Sequence, residues 1–270
     1  MLAWPLDVRD RFLAGRARKL PRVQRPDVDT AAVDRALRRA RPLIARSGPA
    51  RQWLERTAER LALASRMLQA IGTPDFHAAS RELYGSPGEA LPDSESTPLQ
   101  LAQRLRRIID GLNHLDLGTP ANAGATDQDV ARRMRAAVQR FFGDEAPAVE
   151  IVEQLSANAT AGADLIRIRA GARFTDRDVE QLVHHEAGIH VTTALNGRAQ
   201  DALPILAASH PGATRTQEGL AVFAEFITGC MDLDRLSRLA DRVLAIQMAI
   251  DGADFIEVYR YFLERGADLA

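Results

Sequence analysis

The 270-residue chain has a single cysteine, Cys230, and a single lysine, Lys19. One cysteine excludes an intramolecular disulfide and any thiolate metal cluster. Aromatic residues make up only 5% of the sequence, so a core must be built mainly from Leu, Val, Ile and Ala. No apolar run approaches the ~20 residues needed to cross a bilayer. The N-terminal stretch Met1-Leu2-Ala3-Trp4-Pro5-Leu6-Asp7 meets a charge too early for a secretory leader, which makes the cytoplasm the expected location. Nor does either sign of charge dominate. With 35 basic and 36 acidic residues the formal net charge is −1, which argues against nucleic acid or an anionic membrane as a partner. Arginine carries nearly all the positive charge, so a cluster such as Arg35, Arg38, Arg39 and Arg41 reads as a solvated helix face.

What is present is helical pattern. Val33, Leu37, Ala40 and Ile44 share one face of an Arg-rich segment that Pro42 can kink or end. Trp53, Leu54, Ala58, Leu61, Leu63 and Met67 continue the periodicity after Pro49. Gly72-Thr73-Pro74 interrupts it, a shorter helix runs to about Tyr84, and 85–97 is a Pro/Ser/Gly-rich loop. Pro98 suits the first position of the next helix, which reaches about Leu115. The loop Gly118 to Thr126 is the best candidate for a subdomain boundary. Beyond it a helix from Asp127 to Phe142 is expected, then strands at Val149 to Leu155 and Leu165 to Ala170, the latter alternating apolar and charged residues. Helix resumes from Asp176. The expected fold is α+β and predominantly helical. An N-terminal helical region (1–117) precedes a core (127–270) that, carrying His185, Glu186 and His190, is expected to be zinc metallopeptidase-like, or the two form one continuous domain. Within the core, a small sheet lies beside the motif-bearing helix.

The chemistry is concentrated in His184-His185-Glu186-Ala187-Gly188-Ile189-His190 and in Gln217-Glu218-Gly219-Leu220-Ala221. Neutral imidazoles and a carboxylate form a three-ligand zinc site that leaves a position open for water. Glu186, adjacent to a histidine ligand, is placed to take that water's proton. The spacing is unusual. Residues five apart on an ideal α-helix point ~140° apart, so His185 and His190 do not share a metal there. A π-turn closes its hydrogen bond five residues on and restores a common face; we expect a π-bulge or helix break at Ala187 to Ile189, eased by Gly188. Thr175 suits the N-cap of this helix, with Asp176 and Asp178 in its first turn. His184, ~100° round from His185, is expected to pack rather than ligate. Glu225, two turns beyond Glu218, is either a group orienting a histidine or an ordinary acid.

Four blocks in order carry a resemblance: His185-Glu186-x-Gly188-x-His190, Leu195-Asn196-Gly197-Arg198-Ala199-Gln200, Pro211-Gly212, and Thr216-Gln217-Glu218-Gly219-Leu220-Ala221. On these the chain resembles the tyrosine/phenylalanine carboxypeptidase domain family, known by its QEGLA motif. Its animal members include microtubule-associated tyrosine carboxypeptidases, and its bacterial members often carry the label of flavohaemoglobin-expression modulators. The resemblance implies Zn2+ held by His185, His190 and Glu218, Glu186 as general base, and a peptide or protein C-terminus as substrate. Preference for a terminal Tyr or Phe comes from the resemblance alone, and a bacterial substrate need not be tubulin-like. Family members continue past the helix that ends near Arg265, so elements carried there cannot be assigned in this chain.

A carboxypeptidase must hold its substrate's terminal carboxylate, and arginine suits bidentate recognition. Arg198 and Arg215 lie in or beside the matching blocks, and the choice between them stays open. His210, Tyr259 and Tyr261 carry groups able to stabilise an oxyanion, with a structural role as the default for each. The competing function is a non-catalytic regulator with a structural zinc site. A helical nucleic-acid binder is disfavoured by the charge balance.

Overall fold

The computed structural model describes residues 5–92, 94–112 and 124–266. The expected boundary loop lies outside these residues as far as position 123, as do positions 113–115 of the expected helix end and the first four residues. The chain is mostly helical with small sheets. Five helices come first: α1 (Leu6–Ala14), α2 (Ala31–Ile44), α3 (Arg51–Gln69), α4 (Pro74–Tyr84) and α5 (Pro98–Leu112). Pro74 and Pro98 are each the first residue of their helix, where the missing N–H costs nothing. Pro42 lies inside α2, near its end, and no residue of that helix is fully buried. It is tied to α3 by the Asp34 carboxylate, which accepts from Ser65 at 2.7 Å.

The second half builds the core. β1 (Ala125–Thr126) leads into α6 (Asp127–Phe142), and β5 (Arg173–Phe174) leads into α7 (Asp176–Leu182). β1 and β5 pair antiparallel, so the two helices leave opposite ends of one short ribbon. Both starts carry the same capping box. Thr126 and Thr175 accept from the backbone N–H of Asp129 and Asp178, whose carboxylates accept in return from the threonine N–H groups. Between these elements lie β2 (Ala148–Val152), β3 (Ala159–Ala161) and β4 (Leu165–Arg169), in sheet order β2-β4-β3. β2 runs parallel to β4, and β3 antiparallel to it.

Val130, Ala131, Met134 and Val138 of α6 pack against Ile166 and Ile168 of β4, Phe174, Val179 and Leu182. The alternation in Leu165–Arg169 works as its pattern indicates: Ile166 and Ile168 are fully buried and Arg167 is exposed. Each such side chain contributes roughly 1.5–3 kcal/mol relative to exposure.

After α7 the helix changes its winding. Val183–Val191 is π-helical, and α8 (Thr192–Arg198) resumes the ordinary turn. A short 3-10 turn, Pro204–Ala207, precedes α9 (Pro211–Ile227), α10 (Leu233–Ile250) and α11 (Phe255–Glu264). Gly197 explains part of the Asn-Gly-Arg block: a Cβ there would stand 2.2 Å from the Leu206 carbonyl oxygen. Only glycine lets α8 and the 3-10 turn approach this closely. α10 packs along α5, joining the N-terminal helices to the rest. Among the described residues no helix is long and apolar enough to cross a membrane.

Candidate functional site

The π segment is nine residues long, wider than the three-residue bulge expected from the spacing. Its cause is visible in what is buried. Val179, Val183, Ala187 and Val191 recur every four residues on the core side. That interval drifts around an α-helix of 3.6 residues per turn, and the wider π turn keeps the four in line. Thr192 reinforces it by donating its hydroxyl to the Ala187 carbonyl, five residues back. Gly188 is not essential to this geometry. Its φ is not left-handed, and an added Cβ would meet nothing nearer than the Val183 oxygen at 3.8 Å.

The consequence is that His185 and His190 come together, with ring centroids 5.0 Å apart. α9 packs across the π segment and supplies Glu218. Its two carboxylate oxygens each lie 3.6 Å from an imidazole Nε2, one from His185 and the other from His190. One ligand atom from each of the three residues lies within 4.8 Å of the others. Glu186 is buried, and burial raises its pKa, although both histidines pull it back. His184 is half-buried and outside this group.

Glu225 belongs to the orienting network. Its side chain is fully buried, and Oε1 sits 2.7 Å from His185 Nδ1. Burial opposes its charge, but His185, Arg235 and Gln181 outweigh this and hold its pKa down to about 2. An ionised carboxylate only accepts, so Nδ1 carries a proton toward Glu225 and Nε2 is the ring atom that could ligate a metal. Arg235 binds Glu225 through Nε at 2.7 Å and Nη2 at 2.8 Å, and Gln181 donates at 2.8 Å. On the other histidine, Gln217 Oε1 lies 3.3 Å from Nδ1, so the glutamine of the QEGLA block leaves His190 Nε2 free in the same way. Arg235 and Gln181 escape sequence reasoning, because only the packing of α10 and α7 against α9 brings them here.

The donor set fits a transition-metal ion. Two imidazole Nε2 atoms and a carboxylate converge, and each imidazole is fixed through its other nitrogen. Burial alone would lower the pKa of His185; its contacts with Glu218 and Glu225, with the nearby Glu186 charge, raise it instead to about 9. Three carboxylates thus favour positive charge at this point.

The group opens into a cavity of about 810 Å³. One wall is β3 with its flanking residues, and β3 is an edge of its sheet. Leu182, Leu206, Val222 and Leu239 give the cavity an apolar part, and Arg235 and Arg242 of α10 also reach it. The other sequence candidates lie elsewhere. Arg198 is exposed and makes two bonds to Asp164, at 2.8 and 2.7 Å, outside the cavity lining. Arg215 is exposed on α9 and also outside the lining. His210 is the N-cap of α9, where Nδ1 accepts from the Gly212 N–H at 3.1 Å. Its pKa is lowered by burial and by Arg60. Tyr261 donates to Asp241 at 2.7 Å, and Tyr259 packs on Phe12.

A family model described as microtubule-associated tyrosine carboxypeptidase matches residues 10–270. No curated protein and no solved structure gives a significant match. The match spans all but the first nine residues: the chain belongs to the microtubule-associated tyrosine carboxypeptidase family.

Proposed function

We propose that this chain is a zinc-dependent metallocarboxypeptidase that releases a C-terminal tyrosine or phenylalanine from a peptide or protein in the cytoplasm. The observation that carries the reading is the convergence of His185, His190 and Glu218 in an open cavity with a buried glutamate beside them. In this reading the three residues hold the metal through the two Nε2 atoms and the Glu218 carboxylate. When bound, zinc supplies a Lewis acid that polarises the scissile carbonyl and makes water more acidic. Glu186 takes the proton of the attacking water and passes it to the departing amine, work for which a carboxylate with a raised pKa is suited. Glu225 and Gln217 keep both imidazoles in the ligating tautomer. The free edge of β3 offers backbone donors and acceptors to an extended peptide, and the apolar part of the cavity accommodates a terminal aromatic ring.

The competing reading is a regulator whose metal is structural. A structural zinc site is closed by four protein ligands, whereas here Glu218 is 55% exposed and three donors face a cavity. The test is zinc content of tag-free protein, wild type against Glu218→Ala, followed by release of tyrosine from a peptide C-terminus. The expected result is about one zinc per chain, lost in the variant, with release from wild type alone. Bound zinc without release from a panel of peptides would leave the regulator as the better reading.

A further inference from the structure

The substrate's terminal carboxylate needs a cation inside the cavity, and the two arginines suggested by the sequence lie outside its lining. The cavity lining contains two arginines, both on α10, where Arg235, Leu239 and Arg242 recur at i, i+4 and i+7 on one face. Arg235 is already committed. Its guanidinium spans both oxygens of buried Glu225 and is itself nearly buried, so it has no fork to offer a ligand. Arg238, between them in sequence, is turned away to an ion pair with Asp178 at 2.9 Å. Arg242 differs from both: among the described residues no carboxylate pairs with it. Its side chain is exposed and lines the cavity. Partial desolvation and repulsion from Arg235 and Arg238 outweigh the attraction of Glu225 and hold its pKa below the ordinary arginine value. This is the position of a charge that an incoming anion would satisfy.

We propose that Arg242 is the residue that binds the C-terminal carboxylate of the substrate, and so restricts cleavage to the last peptide bond. The inference rests on the carboxypeptidase reading for its substrate class, but it concerns binding and can be read without turnover. A guanidinium presents a planar pair of N–H donors that matches a carboxylate. A substrate with an amide in place of the terminal acid forfeits this contact, and so does an internal peptide bond, whose chain continues past the site.

The experiment uses zinc-loaded full-length protein carrying Glu186→Gln, to prevent turnover. Calorimetry measures binding of an N-acetylated tripeptide ending in tyrosine, as the free acid and as the C-terminal amide. With Arg242 present the acid is expected to bind about ten- to a hundredfold more tightly than the amide, the range for a hydrogen bond to a charged group. In Arg242→Gln the ratio should fall to about unity. Arg242→Lys, which keeps the charge and loses the fork, should retain part of it, and Arg238→Gln should leave it unchanged. Thermal unfolding of each variant shows that the fold survives. A ratio that persists in Arg242→Gln overturns the assignment, as does equal binding of acid and amide, or binding of neither, when Arg242 is present. Tyrosine release by protein with Glu186 intact is scored separately. Release with an Arg242-independent ratio sinks only the carboxylate assignment, whereas a collapsing ratio without release sinks only the carboxypeptidase reading.

Discussion

Helix α6 and the helix that runs from α7 through the π segment start alike and end differently. Each leaves one strand of the same two-stranded sheet, each opens on a Thr-x-x-Asp capping box, and each buries one face in the same core. Arg133, in the second turn of α6, pairs with Asp176 at the start of α7 at 2.7 Å. Along α6 the buried residues are Val130, Ala131, Met134, Ala137 and Val138, an unbroken α spacing. Along its neighbour Val179, Val183, Ala187 and Val191 hold a strict four-residue interval, which the π winding keeps on one face. The two histidines meet within that winding. A helix that only packs keeps its period; one that also assembles a site departs from it and is held in the departure by packing on both sides.

The largest break in that comparison should come from Glu186. Glu186→Gln keeps the volume and a hydrogen-bonding group but removes the base. Turnover should fall about 10²- to 10⁴-fold while zinc content stays at the wild-type level. Loss of zinc together with activity would instead mean that Glu186 acts through the metal site's integrity. A same-sized change in the buried face of α6, such as Met134→Leu, should cost under ~1.5 kcal/mol in stability and leave turnover intact.

Glu225→Ala comes next. It strips the carboxylate from buried Arg235 and frees His185 Nδ1 in one step. Leaving a buried cation unpaired costs about 3–5 kcal/mol, read in denaturant unfolding. Zinc affinity should fall about 10- to 100-fold through loss of the orienting bond. A variant that unfolds as easily as wild type but binds zinc normally would show that Glu225 neither supports α10 nor orients the histidine.

The helices and the three candidate metal ligands were legible in the sequence for a physical reason: both leave local traces. Apolar spacing and helix-opening prolines marked α3, α4 and α5, and alternation marked β4 with its buried Ile166 and Ile168. The five-residue interval between His185 and His190 itself required a non-α turn. The two-residue strands β1 and β5 and the Ala-Thr-Ala strand β3 left no such trace, being too short and too plain for periodicity to register. Arg198 drew attention by lying in a matching block, yet its partner is Asp164 at the turn between β3 and β4. Arg235, Gln181 and Arg242 acquire their roles from the packing of α7, α9 and α10, which no interval along the chain encodes. Pattern reveals what a segment does to itself. It is silent about what a distant segment brings to it.

The shared capping boxes sharpen the comparison at smaller energies. Thr126→Ala and Thr175→Ala should each cost about 1 kcal/mol, and by similar amounts, since the same hydroxyl bonds to the Asp N–H and carboxylate are lost at each start. The two differ in what else they disturb. Fraying α6 loosens a packing helix, whereas fraying α7 reaches the π segment within two turns, so only Thr175→Ala should also weaken zinc binding. Equal zinc affinity in both variants would show that the π winding is held by its core contacts alone.

Gly188→Ala gives the smallest effect, and its sign is informative. If glycine were required by the π geometry, alanine would destabilise the segment. The backbone there is not left-handed and the nearest atom to a new Cβ is 3.8 Å away, so alanine fits without strain. Replacing glycine at a compatible position reduces the freedom of the unfolded chain and stabilises by about 0.4–1 kcal/mol. For a chain of this size that is a rise of about 1–3 °C in Tm. Zinc stoichiometry should not change, because Ala187 and Val191 still set the register. A fall in Tm would mean that the winding depends on the missing side chain at Gly188 after all, rather than on the residues that pin the helix to its core.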